Sequence, residues 1–323
     1  ELSEKIDTNK FGEILNKIKK LTTKYSRLEE VGEVEVKEYV LSNNIILDST
    51  LRVSESEKLV FKGGLNLQMR SNAKIIIEGG SLVSTNSEEG TIVNGGSILV
   101  MRGNVDLSNV SFKNMTALID SSDYHFLPSA FTAYECDVSL IGCIFDSNLA
   151  GDDFLNLFRS TFVLKECRFK NIKADAFDSD FSRGLVKASS FSMVGNDAID
   201  ASGSDIEISD CTFNYVQDKA ISAGEFSSIT VDQSKIVSSE IGLCSKDGSV
   251  LSFKNLTFDN NKLDATAYRK KLEYPGHSLL YTGSESLKIS FLYDYETVTN
   301  IDGIMDEKLL EKMYGVTYGK SSR

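Results

Sequence analysis

Apolar side chains recur at a fixed spacing of 22 residues through the central and C-terminal half of the chain. One set recurs every 22 or 23 residues: Phe169, Phe191, Phe213, Ile236 and Phe258. A second set keeps a spacing of 22: Leu155, Phe177, Ile199, Ile221, Leu243 and Ala265. Because successive side chains of a strand point to opposite faces, such columns mark the inward side of stacked strands. The pattern predicts a solenoid whose rungs bury their apolar faces against one another.

A rung of 22 residues suits a coil of three short strands, so we predict an all-β fold, a parallel β-helix of roughly nine or ten rungs. The crossover preference of parallel strands predicts a right-handed coil. Asn171 and Asn260 each follow a rung-closing Phe by two residues and fit left-handed turn positions. Before residue 150 the spacing slips, and Ser121–Thr132 is predicted to be an inserted loop.

The β-helix is predicted over residues 31–290, with short helical caps over 1–30 and 291–323, because solenoid ends expose unpaired strands. Asp306 is placed to open the C-terminal helix and Gly315 to stop it. The N-terminal cap rests on one apolar helical face, formed by Phe11, Ile14, Leu15, Ile18 and Leu21.

Composition narrows the classes of function. The net charge of −12, from 35 basic and 47 acidic residues, argues against a nucleic-acid partner. Five cysteines without C-x-x-C spacing indicate neither disulfides nor zinc and are expected to be buried. No apolar run is long enough to span a membrane. His125 and His277 have no matched partners that would indicate catalysis.

The outward positions of the most regular strand carry the candidate chemistry. A strip of small residues is predicted to floor a shallow groove suited to an extended chain, most naturally a glycan: Ala176, Ala198, Ala220 and Gly242. Asp178 and Asp200 occupy one column in sequential rungs, so their carboxylates should lie roughly 5 Å apart, with Asp180 two residues along.

Three interpretations of these carboxylates remain open. Like charges at this distance raise one pKa, which would make Asp178, Asp200 and Asp180 catalytic, at the separation typical of retaining glycoside hydrolysis. The same three side chains could instead bind Ca²⁺ through oxygen ligands. They could also form a solvated acidic face. No other cofactor is indicated.

Along the groove the charge reverses. Asn156 precedes the carboxylates, and Lys246, Tyr268, Arg269 and Lys270 follow them as candidate substrate-binding residues. β-Elimination on uronic acids needs a neutralised carboxylate and a Lys, Arg or Tyr base, and these residue types are present. An ordinary ion-pair ladder between Asp247 and Arg269 is the alternative.

Five segments resemble a family of bacterial right-handed parallel β-helix repeat proteins that are often exported and sometimes attached to CotH-like domains. They are DAFDSDFSRG (175–184), GNDAIDASGS (195–204), DKAISAGEFS (218–227), GLCSKDGS (242–249) and AYRKK (267–271). The resemblance covers roughly residues 150–323. It implies the fold and a further attached domain, but no activity.

A weaker resemblance is to polygalacturonase-type, pectin-lyase-like β-helix enzymes. Their succession of an N-T-D, a D-D, a G-H-G and an R-I-K rung is echoed by Asp178, Asp200, Lys219 and Arg269–Lys271. The echo implies that Lys219 also binds substrate. The departure is that no histidine occupies the third rung.

We therefore expect an extracellular or cell-surface bacterial protein, processed or excised from a longer chain, that binds a polysaccharide along one face. If it is an enzyme, it is a polysaccharide hydrolase, lyase or epimerase. The alternative is a non-catalytic stalk, adhesin or interaction module, which has no need to concentrate acidic side chains on one strip.

Overall fold

Three parallel sheets, here called A, B and C, receive successive strands of the chain in turn over most of its length. The computed structural model describes residues 36–70, 72–87, 89–119 and 126–313. The described residues from Lys37 onward form one compact unit.

The strand bounds follow the sheets. Sheet A contains Lys37–Leu41, Glu57–Phe61, Ser81–Ser84, Asn104–Ser108, Asp137–Ile141, Thr161–Lys165, Arg183–Lys187, Asp205–Ser209, Ser228–Asp232, Val250–Lys254, Ser278–Tyr281 and Val298–Thr299. Sheet B contains Asn44–Leu47, Asn66–Met69, Thr91–Asn94, Val110–Met115, Ile144–Asn148, Arg168–Ile172, Ser190–Val194, Thr212–Val216, Lys235–Val237 and Thr257–Asp259. Sheet C contains Thr50–Val53, Lys74–Glu78, Ser97–Met101, Phe131–Tyr134, Asp153–Phe158, Asp175–Asp180, Ile199–Ser202, Lys219–Gly224, Ile241–Lys246, Leu263–Tyr268, Phe291–Tyr293 and Ile304–Met305.

The predicted parallel β-solenoid is confirmed. Phe177 pairs with Ile199, Ile199 with Ile221 and Ile221 with Leu243, as the 22-residue column requires. The whole predicted inward column is fully buried: Leu155, Phe177, Ile199, Ile221, Leu243 and Ala265. Sheets A and C each have twelve strands within the described residues, more than the nine or ten rungs expected. Early rungs vary in length, which hides their period: Lys37 pairs with Glu57, whereas Val105 pairs with Val138.

The rung-closing phenylalanines form a continuous stack in the core. Phe145, Phe169, Phe191 and Phe213 have ring centroids 4.5, 4.8 and 5.0 Å apart, with planes within 8° of parallel. Each ring buries its faces against its neighbours, and such contacts add to the gain from burial. The inward column of phenylalanines therefore stabilises the register of sheet B.

Buried serines satisfy the backbone where the chain turns from sheet C to sheet A. The amide N–H of Ser160 donates to Ser182 Oγ (2.9 Å), that of Ser182 to Ser204 Oγ (3.0 Å), and that of Ser204 to Ser227 Oγ (3.1 Å). A buried amide without a partner is costly, so each rung depends on the next.

Asn171 and Asn260 adopt φ of 57° and 55°, which confirms their predicted left-handed turns.

The C-terminal end carries a short helix, α1 (Glu307–Met313). Asp306 Oδ1 accepts a hydrogen bond from the Leu309 amide (3.0 Å) and caps it as predicted. Strands Phe291–Tyr293, Val298–Thr299 and Ile304–Met305 extend the sheets beyond residue 290, so the division there stays a prediction. The predicted N-terminal cap and Gly315 lie outside the described residues. Among the described residues, no helix is long and apolar enough to cross a membrane.

The described part of the inserted loop packs on the outer face of sheet C. It begins with Phe126–Leu127, which pairs antiparallel with Leu118–Ile119, a strand just before the loop. Leu118 joins Ile76 and Leu99 in a buried apolar cluster separate from the main core, against which Met101 and Leu127 pack. The loop thus covers outward apolar residues on the strands of sheet C that precede the candidate site in the chain.

We expect Ile199→Asp to unfold the middle of the solenoid. Ile199 is fully buried between Phe177 and Ile221, so the substitution would place an unpaired carboxylate inside the core. The cost should exceed about 4 kcal/mol. Thermal unfolding followed by circular dichroism measures it.

Val163→Asp is the matched control, because Val163 is a 39% exposed apolar residue on an outward position of sheet A. It should melt close to the unmodified protein. Equal melting temperatures for both variants would contradict the assignment of inward and outward faces.

Candidate functional site

The candidate residues lie in register on the outward side of sheet C. Asn156 pairs with Asp178, Asp178 with Asp200, and Asp200 with Ser222. Two residues further along the same strands, Phe158 pairs with Asp180. Since paired strands lie about 4.8 Å apart, the Asp178 and Asp200 side chains are neighbours, as the sequence predicted.

These carboxylates open into a charged cleft of about 240 Å³. Its lining is Pro128, Asp152, Asp153, Asp175, Asp178, Asp180, Asp200, Ser202, Glu225, Lys246, Lys270 and Lys271. Asp178, Asp180, Asp200, Lys246 and Lys270 were predicted from the sequence. We call this cavity the charged cleft.

Asn156 holds the two carboxyl groups on the acidic side. Its Nδ2 donates to Asp178 Oδ2 (3.0 Å) and to Asp180 Oδ2 (2.9 Å). Burial, reinforced by the charges of Asp153, Asp180 and Asp200, holds the pKa of Asp178 well above its ordinary value. Burial also raises the pKa of Asp180, partly offset by the hydrogen bond from Asn156. Asp178 therefore keeps its proton to a higher pH than an ordinary carboxyl group.

Asp200 has the opposite electrostatic character. Burial acts to raise its pKa, but attraction by Lys246 and Lys219 outweighs it and lowers the pKa. Lys246 Nζ lies 3.8 Å from Asp200 Oδ1, and Lys246 is itself almost fully buried. Although burial alone would lower the pKa of Lys246, Asp200 raises it. Two neighbouring carboxyl groups thus have pKa values shifted in opposite directions, the arrangement that separates an acid from a base.

Three predicted substrate-binding residues, Lys219, Tyr268 and Arg269, do not line the charged cleft, and substrate binding by them stays a prediction. Lys219 is 2% exposed, and its Nζ lies 3.1 Å from Asp197 Oδ1 and 2.6 Å from Asp218 Oδ2. The neighbouring carboxylates hold this lysine inside the protein, and its charge lowers the pKa of Asp200. Tyr268 and Arg269 line a separate cavity of about 220 Å³ that also contacts α1.

The small strip does not floor an open groove, which corrects that expectation. Ala176, Ala198 and Ala220 are fully buried and belong to the main core. A Cβ built on Gly242 would lie 2.4 Å from the Asp264 carbonyl oxygen and 3.0 Å from Phe258. Small residues are needed there because neighbouring backbone and side-chain atoms leave no room for a larger side chain. The cleft opens two residues further along the strands.

Sequence reasoning missed one wall of the cleft. Asp153 pairs with Asp175, and both open their strands on the same column as Asp197. The 22-residue spacing of these three residues was a usable signal. Burial raises the pKa of Asp153 and of Asp175 well above the ordinary value, and neighbouring carboxylates add to the shift. Glu225 and Lys271 pair with each other and come from turns that the repeat pattern does not align.

The carboxylate oxygens of Asp152, Asp153 and Asp175 lie within 4.8 Å of one another. This trio could hold a divalent cation better than the predicted Ca²⁺ set of Asp178, Asp180 and Asp200, because Lys246 already neutralises Asp200. Ca²⁺ would require further oxygen ligands, from the protein or from water. Calcium binding by the predicted set remains a prediction.

The fold and cleft define a parallel β-solenoid with a charged outward site. No family model and no curated protein matches the chain. One structural neighbour is a mannuronic acid specific polysaccharide family 6 lyase from human gut microbiota, at 10% identity and a TM-score of 0.43, covering 84% of this chain and 79% of that one. Another is a pectate lyase from Paenibacillus sp. 0602, at 9% identity and a TM-score of 0.38, covering 84% and 75%. At these levels neither likeness bears on the activity of this chain.

We expect Asp178→Asn and Asp200→Asn to change stability in opposite directions at pH 8. The unfolded pKa of both groups is about 3.9. The pKa of Asp178 is raised in the folded state. Its contribution to the stability of the fold is therefore fully present below about pH 4 and is lost as the pH rises through the folded pKa. Replacing it with asparagine should raise the melting temperature at pH 8 by a few degrees.

The pKa of Asp200 is lowered in the folded state. Its contribution to the stability of the fold is therefore present above about pH 4 and is lost as the pH falls through the folded pKa. Asp200→Asn should therefore lower the melting temperature at pH 8, because Lys246 loses its partner. Both differences should shrink at pH 4. Shifts of the same sign in the two variants at pH 8 would contradict this electrostatic assignment.

Proposed function

We propose that the protein binds a polysaccharide across the charged cleft and hydrolyses it, with Asp178 as general acid and Asp200 as nucleophile. The observation that carries this proposal is the opposite pKa shift of two carboxyl groups on neighbouring rungs. Their spacing of about 5 Å suits retaining hydrolysis. A cavity with convergent polar groups and shifted pKa values is a general marker of a site for chemistry.

The proposed steps use only groups that line the cleft or contact its carboxyl groups. Asp178 donates its proton to the glycosidic oxygen as that bond breaks, while Asp200 attacks the anomeric carbon and forms a glycosyl ester. The Asp178 carboxylate then accepts a proton from water, and the resulting hydroxide equivalent displaces Asp200. Asn156 positions Asp178, and Lys246 keeps Asp200 ionised between turnovers.

A second candidate reaction is β-elimination on an acidic sugar. It is favoured by Lys270, which lines the cleft and whose pKa is lowered by burial and by repulsion from Lys246 and Lys219. A lysine with a lowered pKa is a better proton acceptor at neutral pH. Elimination leaves an unsaturated sugar that absorbs ultraviolet light, whereas hydrolysis leaves only a new reducing end.

The biological setting is part of the same proposal. We place the protein outside the bacterial cell or on its surface, with a glycan and not a nucleic acid as partner, and with a further domain attached in the full-length protein. A stalk or adhesin without chemistry is the competing function, and the activity test below decides between them.

We expect Asp178→Asn and Asp200→Asn each to lower turnover at least about a hundredfold while leaving glycan affinity nearly unchanged. A panel of acidic and neutral polysaccharides would be assayed for new reducing ends and for unsaturated products. Lys246→Met should weaken binding of acidic glycans. It should also raise the pKa of the acidic limb of the pH–rate profile, because Asp200 loses the cation that keeps it ionised.

Asp205→Asn is the matched control, because Asp205 is an exposed carboxylate on sheet A that pairs with Arg183. It should leave turnover and affinity unchanged. Full turnover in both cleft variants would overturn the assigned roles. Absence of both affinity and turnover across the panel would favour the stalk.

A further inference from the structure

An apolar cleft of about 310 Å³ lies on the outer face of sheet C. Its walls are formed by Leu99, Met101, Leu127, Tyr134 and Phe158. Thr132 and Asn156 supply the polar side chains of its lining, and no charged residue lines it. Outward positions of a solenoid strand are ordinarily polar, so an apolar concavity here indicates a ligand.

Two aromatic rings form a platform in this cleft. Tyr134 and Phe158 are register partners, and their rings stack with centroids 5.5 Å apart and planes at 20°. Both residues are only partly buried, although the Phe158 ring also contacts the edge of Phe181 and the guanidinium of Arg159. The C–H faces of sugar rings are apolar, and a partly exposed aromatic face can pack against them while the hydroxyl groups stay in water.

The apolar cleft lies next to the charged cleft. Asn156 lines the apolar cleft, and its amide donates to Asp178 and Asp180 of the charged cleft. The inserted loop supplies adjacent wall residues, Leu127 to the apolar cleft and Pro128 to the charged cleft. Because a side chain of one cavity hydrogen-bonds to the lining of the other, and sequence neighbours line both, one extended molecule can occupy both.

Resting on the proposed function, we infer that the apolar cleft is a subsite for an uncharged sugar of the same glycan chain. A carboxylate placed against its apolar walls would lose hydration, and Arg159, whose guanidinium lies 5.5 Å from the Phe158 ring centroid, already pairs with Glu135. At the opposite side of the charged cleft, Lys270 favours an acidic group, beside Lys246 and Lys271, whose charges are paired with Asp200 and Glu225. The substrate class is therefore a mixed glycan, in which an uncharged sugar lies near an acidic one.

The test compares two kinds of oligosaccharide by isothermal titration calorimetry. Hyaluronan and rhamnose–galacturonate oligosaccharides alternate an uncharged sugar with an acidic one, whereas in oligogalacturonate every residue is charged. The full chain with Asp178→Asn is titrated, so that no probe is consumed. We expect at least one alternating oligosaccharide to bind more tightly than oligogalacturonate. Adding Tyr134→Ala or Phe158→Ala should weaken that binding about tenfold and leave oligogalacturonate unaffected.

Phe226→Ala is the matched control, because Phe226 is an exposed aromatic residue that lines neither cleft. Tyr134→Leu and Phe158→Leu keep apolar bulk without an aromatic face, so they cover the event that an alanine variant fails to fold. Unchanged affinity in all four cleft variants would overturn the subsite, while loss of turnover in Asp178→Asn would still support the proposed function. Failure of every glycan to bind would overturn both.

Discussion

The in-register stacking of rungs is the constraint on which the rest of this structure depends. Each strand of sheets A, B and C pairs with the strands one rung before and one rung after it, so its side chains face their counterparts in the neighbouring rungs. Stacking like on like is favourable for Phe169, Phe191 and Phe213. The same rule places Asp153 beside Asp175 and Asp178 beside Asp200, where stacking like on like is unfavourable.

The carboxylates at the starts of the strands also hold the chain together. Asp175 Oδ1 accepts the Asp197 amide at 2.7 Å, and Asp197 Oδ1 accepts the Lys219 amide at 2.9 Å, as the serine ladder does on the other side of sheet C. In the rung after Asp197 the column changes from acid to base, and Lys219 supplies the neutralising charge. The acidity of the cleft is therefore partly a consequence of how the backbone is satisfied.

The sequence predicted what the repeat controls and missed what lies outside it. The period identified the inward column, the phenylalanine stack, the Asn171 turn and the Asp178–Asp200 pairing, because each follows from spacing and strand alternation. Alternation does not say whether an outward residue is covered, so Ala176 was expected to floor an open groove although it is fully buried. Pro128 and Leu127 belong to an inserted loop whose fold against sheet C depends on contacts far apart in sequence.

The departures from the repeat give the proposed site its direction. A face that repeated perfectly would bind a repeating polymer equally well one rung along, so no bond would be selected for cleavage. Here the outer face of sheet C changes from the aromatic pair Tyr134 and Phe158, through carboxyl groups, to Lys246. Sliding a glycan by one rung would move an uncharged sugar from the aromatic rings onto carboxyl groups. In the proposed mechanism, the register with the best contacts at both ends is then the one that places a glycosidic bond between Asp178 and Asp200.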